Sequence, residues 1–252
     1  MIKSLWYWSQ ETLLLTTRCQ LQCDRCSLRD LDNQTHLRTE REILGLIQSG
    51  AFFKDYKRAR LFNVIGGDPF CHESLLTILR FLKHDGRKVR LWTHGCLPTE
   101  FWMGLLPFID EIMMFIPSGD PDQYREITGL DGIKQVESTI RYLKEKGKKV
   151  SCHSSVRQDT IQFLPELYDF TFLNRVPLLL HIPHNESLDK DSQAHIKRFR
   201  FIKNVMILPE RLYHKPSCLG YPLGYSWVHK LEAVQYLLNE LNPYFYLQKK
   251  YG

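Results

Sequence analysis

The chain has 252 residues, 43% hydrophobic and 25% charged, ordinary proportions for a single globular core and too short for two full domains with a linker. Disordered, collagen-like and coiled-coil chains are thereby excluded; no apolar run reaches the ~18–20 residues of a membrane helix, and the start MIKSLWYWSQ lacks a signal peptide's apolar stretch, so a cytoplasmic protein without a membrane partner is expected. The net charge of +6 is concentrated, with ten Lys and Arg against four Asp and Glu in residues 190–252, which suits either a solvated helical face or a surface for an anionic partner such as nucleic acid.

In chain order, strands are predicted at 12–17 (TLLLTT), 60–65 (RLFNVI), 88–93 (KVRLWT), 111–116 (EIMMFI), 149–156 (KVSCHSSV) and 177–182 (PLLLHI). Helices are predicted between and after them at 39–48, 74–83, 99–106, 133–145 and 158–168. The fourth helix places Ile133, Val136, Ile140 and Leu143 on one face, and Gly147 follows where a C-cap belongs. Alternating strands and helices predict a parallel sheet with right-handed crossovers. Six units do not close an eight-stranded barrel, so the expected fold is α/β, either a partial (β/α)6 barrel or a doubly wound sheet. In both, ligands belong at the carboxyl ends of the strands.

The pattern changes near residue 185. Residues 189–204 form a basic amphipathic helix candidate, 208–225 are rich in Pro and Gly, and 227–241 resemble a terminal helix. The chain therefore divides into a core, 1–185, and an extension, 186–252, packed on or across the barrel mouth.

Seven cysteines, an odd number without an export signal, point to metal or redox chemistry rather than disulfides. The run TTRCQLQCDRCS sets Cys19, Cys23 and Cys26 on one loop directly after the first predicted strand. Three thiolates so spaced wrap a single soft metal centre and leave a fourth position open. A structural zinc with His36 as fourth ligand is the alternative.

This loop and its place in the chain resemble the radical SAM superfamily, over residues 12–182. The resemblance implies a [4Fe–4S] cluster on Cys19, Cys23 and Cys26 and S-adenosylmethionine (SAM) on the open iron. A low-potential donor of the flavodoxin or ferredoxin type would supply the electron, and SAM would be cleaved to a 5′-deoxyadenosyl radical that takes hydrogen from a substrate. IGGDPF, with Gly66, Gly67 and Asp68 ending strand two, resembles the family's GGEP motif, which binds the SAM ammonium; Asp68 stands where Glu is usual. Thr93, His94 and Gly95 resemble its TNG motif at the floor of the site, with His in place of Asn. Ser118, after strand four, sits where relatives place a polar group near the SAM carboxylate or ribose. Arg157, with Ser154 and Ser155 at the end of strand five, suits a bidentate contact to ribose or carboxylate. Arg25, where relatives carry an aromatic residue, offers a guanidinium to stack on adenine.

Cys71, Cys96, Cys152 and Cys218 are scattered too widely for a second cluster. Cys218, alone in KPSCLGYPLGY, is a candidate hydrogen-atom donor to a substrate radical. The substrate class expected is a peptide or small metabolite, with Tyr221, Tyr225, Trp227 and Tyr244 contributing to the pocket. A glycyl-radical activase, an RNA-modifying enzyme and a non-catalytic metal-binding module are the alternatives.

Overall fold

Alternation along the strands settles the architecture. Phe62 and Val64, Val89 and Leu91, Ile112 and Met114, Val150 and Cys152, and Leu178 and Leu180 all belong to one buried core. Residues two apart share a face of a strand, so each strand turns its apolar set to the same side. The computed structural model describes residues 10–23, 26, 39–49, 61–182, 187–199, 202 and 204–208. Among the described residues, seven strands form one sheet in the order of the chain: β1 Gln10–Leu14, β2 Leu61–Ile65, β3 Lys88–Thr93, β4 Glu111–Phe115, β5 Lys149–Ser155, β6 Leu178–His181 and β7 Val205–Leu208. Every pairing is parallel.

Consecutive order with no reversal means that every crossover winds the same way, which puts the helices on one face. A doubly wound sheet reverses direction at a switch point, and this one does not. The other face is concave. Trp92 of β3 reaches His153 of β5 with ring centroids 5.3 Å apart, and Met113 of β4 packs with Leu179 of β6. The fold is thus the expected α/β partial barrel, but the sheet carries seven strands rather than six. The seventh, VMIL, was missed because four residues after a basic helix give too short a period to read.

The helices are α1 Glu40–Ser49, α2 Leu75–His84, α3 Glu100–Met103, α4 Pro121–Thr128, α5 Ile133–Glu145, α6 Leu164–Leu173 and α7 Lys190–Phe199. α5 forms as its periodicity predicts. Ile133, Val136, Ile140 and Leu143 are all buried, each worth about 1.5–3 kcal/mol in removed apolar surface, and Gly147 follows with φ 71°. α6 begins six residues later than predicted, because Pro165 is tolerated only in a helix's first turn. α4 was not expected. Pro121 opens it, Asp120 caps it by accepting from the backbone N–H groups of Asp122 and Gln123, and Gly129 ends it in the left-handed region. Of the extension, α7 places Ile196 and Phe199, and β7 places Ile207, in the same core as β1–β6. The terminal helix at 227–241 lies outside the described residues.

Candidate active site

Three segments meet at the carboxyl ends of β1, β2 and β3. The N–H of Gly67 donates to the carbonyl of Thr16 at 2.8 Å, and that of Asp68 to the carbonyl of Arg18 at 2.7 Å. The β2 end thus grips the start of the cysteine loop by backbone alone. A Cβ on Gly67 would stand 2.4 Å from the carbonyl oxygens of both Thr17 and Arg18, and one on Gly66 would stand 2.8 Å from that of Thr16. Only glycine permits this approach.

Asp68 is completely buried, and the surrounding donors share its carboxylate. Oδ1 accepts from the N–H of Phe70 at 3.0 Å. Oδ2 accepts from the Thr93 hydroxyl at 2.6 Å and the His94 N–H at 3.0 Å. His94 Nε2 lies 3.2 Å from the same oxygen and 2.8 Å from Gln20 Oε1. Because His94 Nδ1 accepts from the N–H of Cys96 at 3.0 Å, the proton of the neutral ring belongs on Nε2. Burial holds the His94 pKa below its ordinary value, against the opposing pull of Asp68. A neutral imidazole therefore joins Asp68 to Gln20, which lies between the first two cysteines.

The loop's far side rests on α4, where the N–H of Gln22 donates to the carbonyl of Thr128 at 2.9 Å. Cys19, Cys23 and Cys26 are each partly exposed and carry reduced thiols. Burial pushes the Cys19 thiol up to about 12, so it stays protonated at neutral pH unless a cation stabilises the thiolate. Cys19 Sγ accepts from the N–H of Leu21 at 3.4 Å. Among the described residues no three His, Cys, Asp or Glu side chains converge as they would on one metal ion. Tyr124, fully buried on α4, has a hydroxyl without a hydrogen-bond partner among the described residues.

The concave face continues the site. Arg90 grips Glu111 through Nε and Nη2 at 2.9 and 2.7 Å, and Trp92 Nε1 donates to Asn63 at 3.1 Å. Toward the carboxyl ends of β5 and β6 the rings of His153 and His181 stack, with centroids 4.7 Å apart and His153 Nε2 at 2.7 Å from His181 Nδ1. Ser155 Oγ lies 3.4 Å from His181. Burial lowers both pKa values, that of His181 to about 4, which leaves an uncharged hydrogen-bonding pair at neutral pH.

The structure therefore brings Cys19, Cys23, Gly66, Gly67, Asp68 and Thr93 together. Asp68 and Thr93, expected at SAM, are turned onto one another, in keeping with the short reach of an Asp side chain. Ser118 is also fully buried. Its hydroxyl donates to Gln123 at 2.9 Å and accepts from the Asp120 N–H at 3.1 Å, which places it in the turn that opens α4. Arg157 lies beyond the end of β5, its Nε 3.9 Å from Asp159. Arg25, His36, Cys218, Tyr221, Tyr225, Trp227 and Tyr244 lie outside the described residues. Sequence reasoning missed Gln20, Tyr124 and the His153–His181 pair. The pair was readable: His153 and Ser155 alternate with Cys152 and Ser154, so they share the face opposite the helices.

A cysteine loop clamped at the carboxyl rim of a curled, all-parallel sheet defines a cofactor-dependent protein of the partial-barrel class. The chain belongs to the Radical SAM superfamily, whose family model matches residues 13–169. It is 25% identical over 196 residues to a probable GTP 3′,8-cyclase of Sulfurisphaera tokodaii, covering 76% of this chain and 61% of that protein. It is 28% identical over 163 residues to a protein of the same name from Methanococcus maripaludis strain C7, covering 63% and 53%. The chain thus spans about half to three fifths of the length of these relatives. Among solved structures, Streptococcus suis SuiB bound to S-adenosylmethionine shares the fold with a TM-score of 0.61 at 13% identity, over 80% of this chain and 50% of that one. Native anSMEcpe with bound AdoMet and the Cp18Cys peptide does so with a TM-score of 0.58 at 16% identity, over 77% and 59%.

The family implies SAM and an iron–sulfur cluster, and the residues present fit that cluster. A short loop offers three thiols, the deprotonation of Cys19 calls for a cationic partner, and Tyr124 adds a buried hydroxyl on the helix beneath the loop. No helix among the described residues is long and apolar enough to cross a membrane.

Proposed function

We propose that the chain is a radical SAM enzyme acting on a small metabolite, with Cys19, Cys23 and Cys26 holding three irons of a [4Fe–4S] cluster. When bound, the cluster supplies the electron that splits SAM into methionine and a 5′-deoxyadenosyl radical, which abstracts hydrogen from the substrate. The observation that carries this reading is the clamp: Gly67 and Asp68 hold the base of the cysteine loop, and Asp68 acts through His94 on Gln20 within it. These contacts fix the base of the loop that carries the thiols, which lowers the ordering cost of cofactor binding.

The chain's other residues shape the space next to the loop. The Arg90–Glu111 pair and Trp92 occupy the concave face toward its floor, and His153, His181 and Ser155 offer uncharged donors and acceptors nearer the rim. Such a lining suits a compact substrate with polar edges, and the names of the two archaeal relatives point to a small molecule in the same direction. Arg25 would stack on the SAM adenine, Arg157 would bind ribose or carboxylate, and Cys218 would return a hydrogen atom to the substrate radical. A low-potential flavodoxin or ferredoxin would deliver the electron.

Anaerobic reconstitution with iron and sulfide, followed by SAM and dithionite, tests the reading. About four irons per chain and release of 5′-deoxyadenosine are expected, both lost in Cys23→Ala. One zinc per chain, or full iron in Cys23→Ala, would overturn it.

A further inference from the structure

Tyr124 sits on α4 with its side chain fully buried, yet its hydroxyl meets no hydrogen-bond partner among the described residues. A buried hydroxyl left without a partner destabilises the fold, so a native chain that keeps one has a use for it. The helix shows where the group faces. Thr128, four residues on and therefore on the same face, is also fully buried and gives its carbonyl to Gln22 N–H at 2.9 Å, between Cys19 and Cys23. The neighbouring turn closes on the same place. A Cβ on Gly132 would stand 2.4 Å from Cys96 Sγ and 3.3 Å from Tyr124 Cε1, so glycine is what lets the ring and the thiol pack together there. The surroundings of the phenol agree: after burial, the groups that raise its pKa are Cys96, Cys23, Cys19 and Asp68.

We infer that Tyr124 is a positioning residue for the iron–sulfur cluster, its O–H donating a hydrogen bond to a cluster sulfur, either a cysteinyl thiolate or a sulfide. This rests on the function proposed above. Hydrogen bonds to sulfur stabilise the more negative, reduced cluster and raise its potential. The hydroxyl thus eases the electron's entry without touching SAM or substrate.

Tyr124→Phe removes the oxygen alone and leaves the ring to fill its site. Native and variant proteins are reconstituted with ferrous iron and sulfide, counted for iron, and titrated with dithionite while the reduced cluster is followed by electron paramagnetic resonance. Equal iron is expected, with the variant's midpoint shifted to more negative potential and, at the native midpoint, a several-fold lower ratio of reduced to oxidised cluster. Tyr142→Phe, half-buried on α5 with Lys146 over its ring, serves as control and should titrate like the native protein. Without iron, Tyr124→Phe should melt no lower than the native chain, because the hydroxyl it loses had no partner. An unchanged midpoint at equal iron overturns the inference and leaves the function standing. A lower melting temperature in the iron-free variant also overturns it, since the hydroxyl would then serve the protein itself. If the native chain takes up no cluster, the function fails and the inference with it.

Discussion

His94 Nε2 lies 2.8 Å from Gln20 Oε1 although 74 residues separate them in the chain. The imidazole is buried and neutral, and its other nitrogen is taken by the N–H of Cys96. One side chain at the end of β3 therefore fixes a residue between two cysteines of the loop after β1. Removing it should free that loop and leave Asp68 short of a donor. His94→Ala is expected to cost about 2–3 kcal/mol, lowering the melting temperature by roughly 4–12 °C for a chain of this size. It should also weaken iron retention about 10–100-fold. His94→Asn, the residue of the TNG motif, should retain more iron than the alanine variant. Equal iron in native and alanine proteins after desalting would refute the coupling.

The backbone grip at Gly67 makes a sharper case. Gly67→Ala would press a Cβ into two carbonyl oxygens at 2.4 Å, and backbone at that distance has to move. The variant should fold, as judged by its far-ultraviolet circular dichroism, but hold less than about a tenth of the native iron. Gly104→Ala is the control: nothing lies within 4 Å of the added carbon and φ is −73°, so iron and melting temperature should match the native protein or rise slightly.

Asp68 accepts from three donors in addition to the nearby His94 ring, so an amide in its place sets N–H against N–H. Asp68→Asn should destabilise by about 2–4 kcal/mol, read by thermal denaturation. Asp68→Glu would match the residue usual in GGEP, yet it adds a methylene where there is no exposed surface, and about 1–3 kcal/mol should be lost. A melting temperature unchanged in both variants would show that the carboxylate does not organise this corner.

The stacked histidines give a pH dependence of known sign. The His181 pKa falls from its ordinary 6.5 to about 4 on folding, so between these values the unfolded chain binds more protons than the folded one. Stability contributed by His181 is intact above pH 6.5, falls as the solution is acidified, and levels off below about pH 4. For His181 the loss is about 2–3 kcal/mol, allowing for its partial exposure. Melting of iron-free protein at pH 7 and pH 5 reads it, and His181→Asn should flatten the difference. An equally steep variant would place the titration elsewhere.

The sheet was legible because its pattern is local: six of seven strands and the apolar face of α5 follow from periods of 2 and 3.6. The cysteine loop was legible from spacing alone. The Asp68–His94–Gln20 chain was not, because it depends on three strand ends lying side by side, and nothing in GGDP or THG says that one carboxylate will meet both a threonine and a histidine. Ser118 and Asp68 make local contacts that the resemblance did not foretell, Ser118 in the turn that opens α4 and Asp68 with Thr93 and the His94 backbone. α4 escaped notice because its short span carries few apolar residues, although Asp120-Pro121 and Gly129 mark both its ends.

The grip of Gly67 and Asp68 on Thr16 and Arg18 also sets an order in time. The cysteine loop is made before the residues that shape it, 66–68 and 93–96, and its support on α4 comes later still, at Thr128. A nascent chain with only its first strand emerged carries three thiols and no frame for them. A cluster bound as proposed would therefore gain its full frame only once the chain has folded through Thr128.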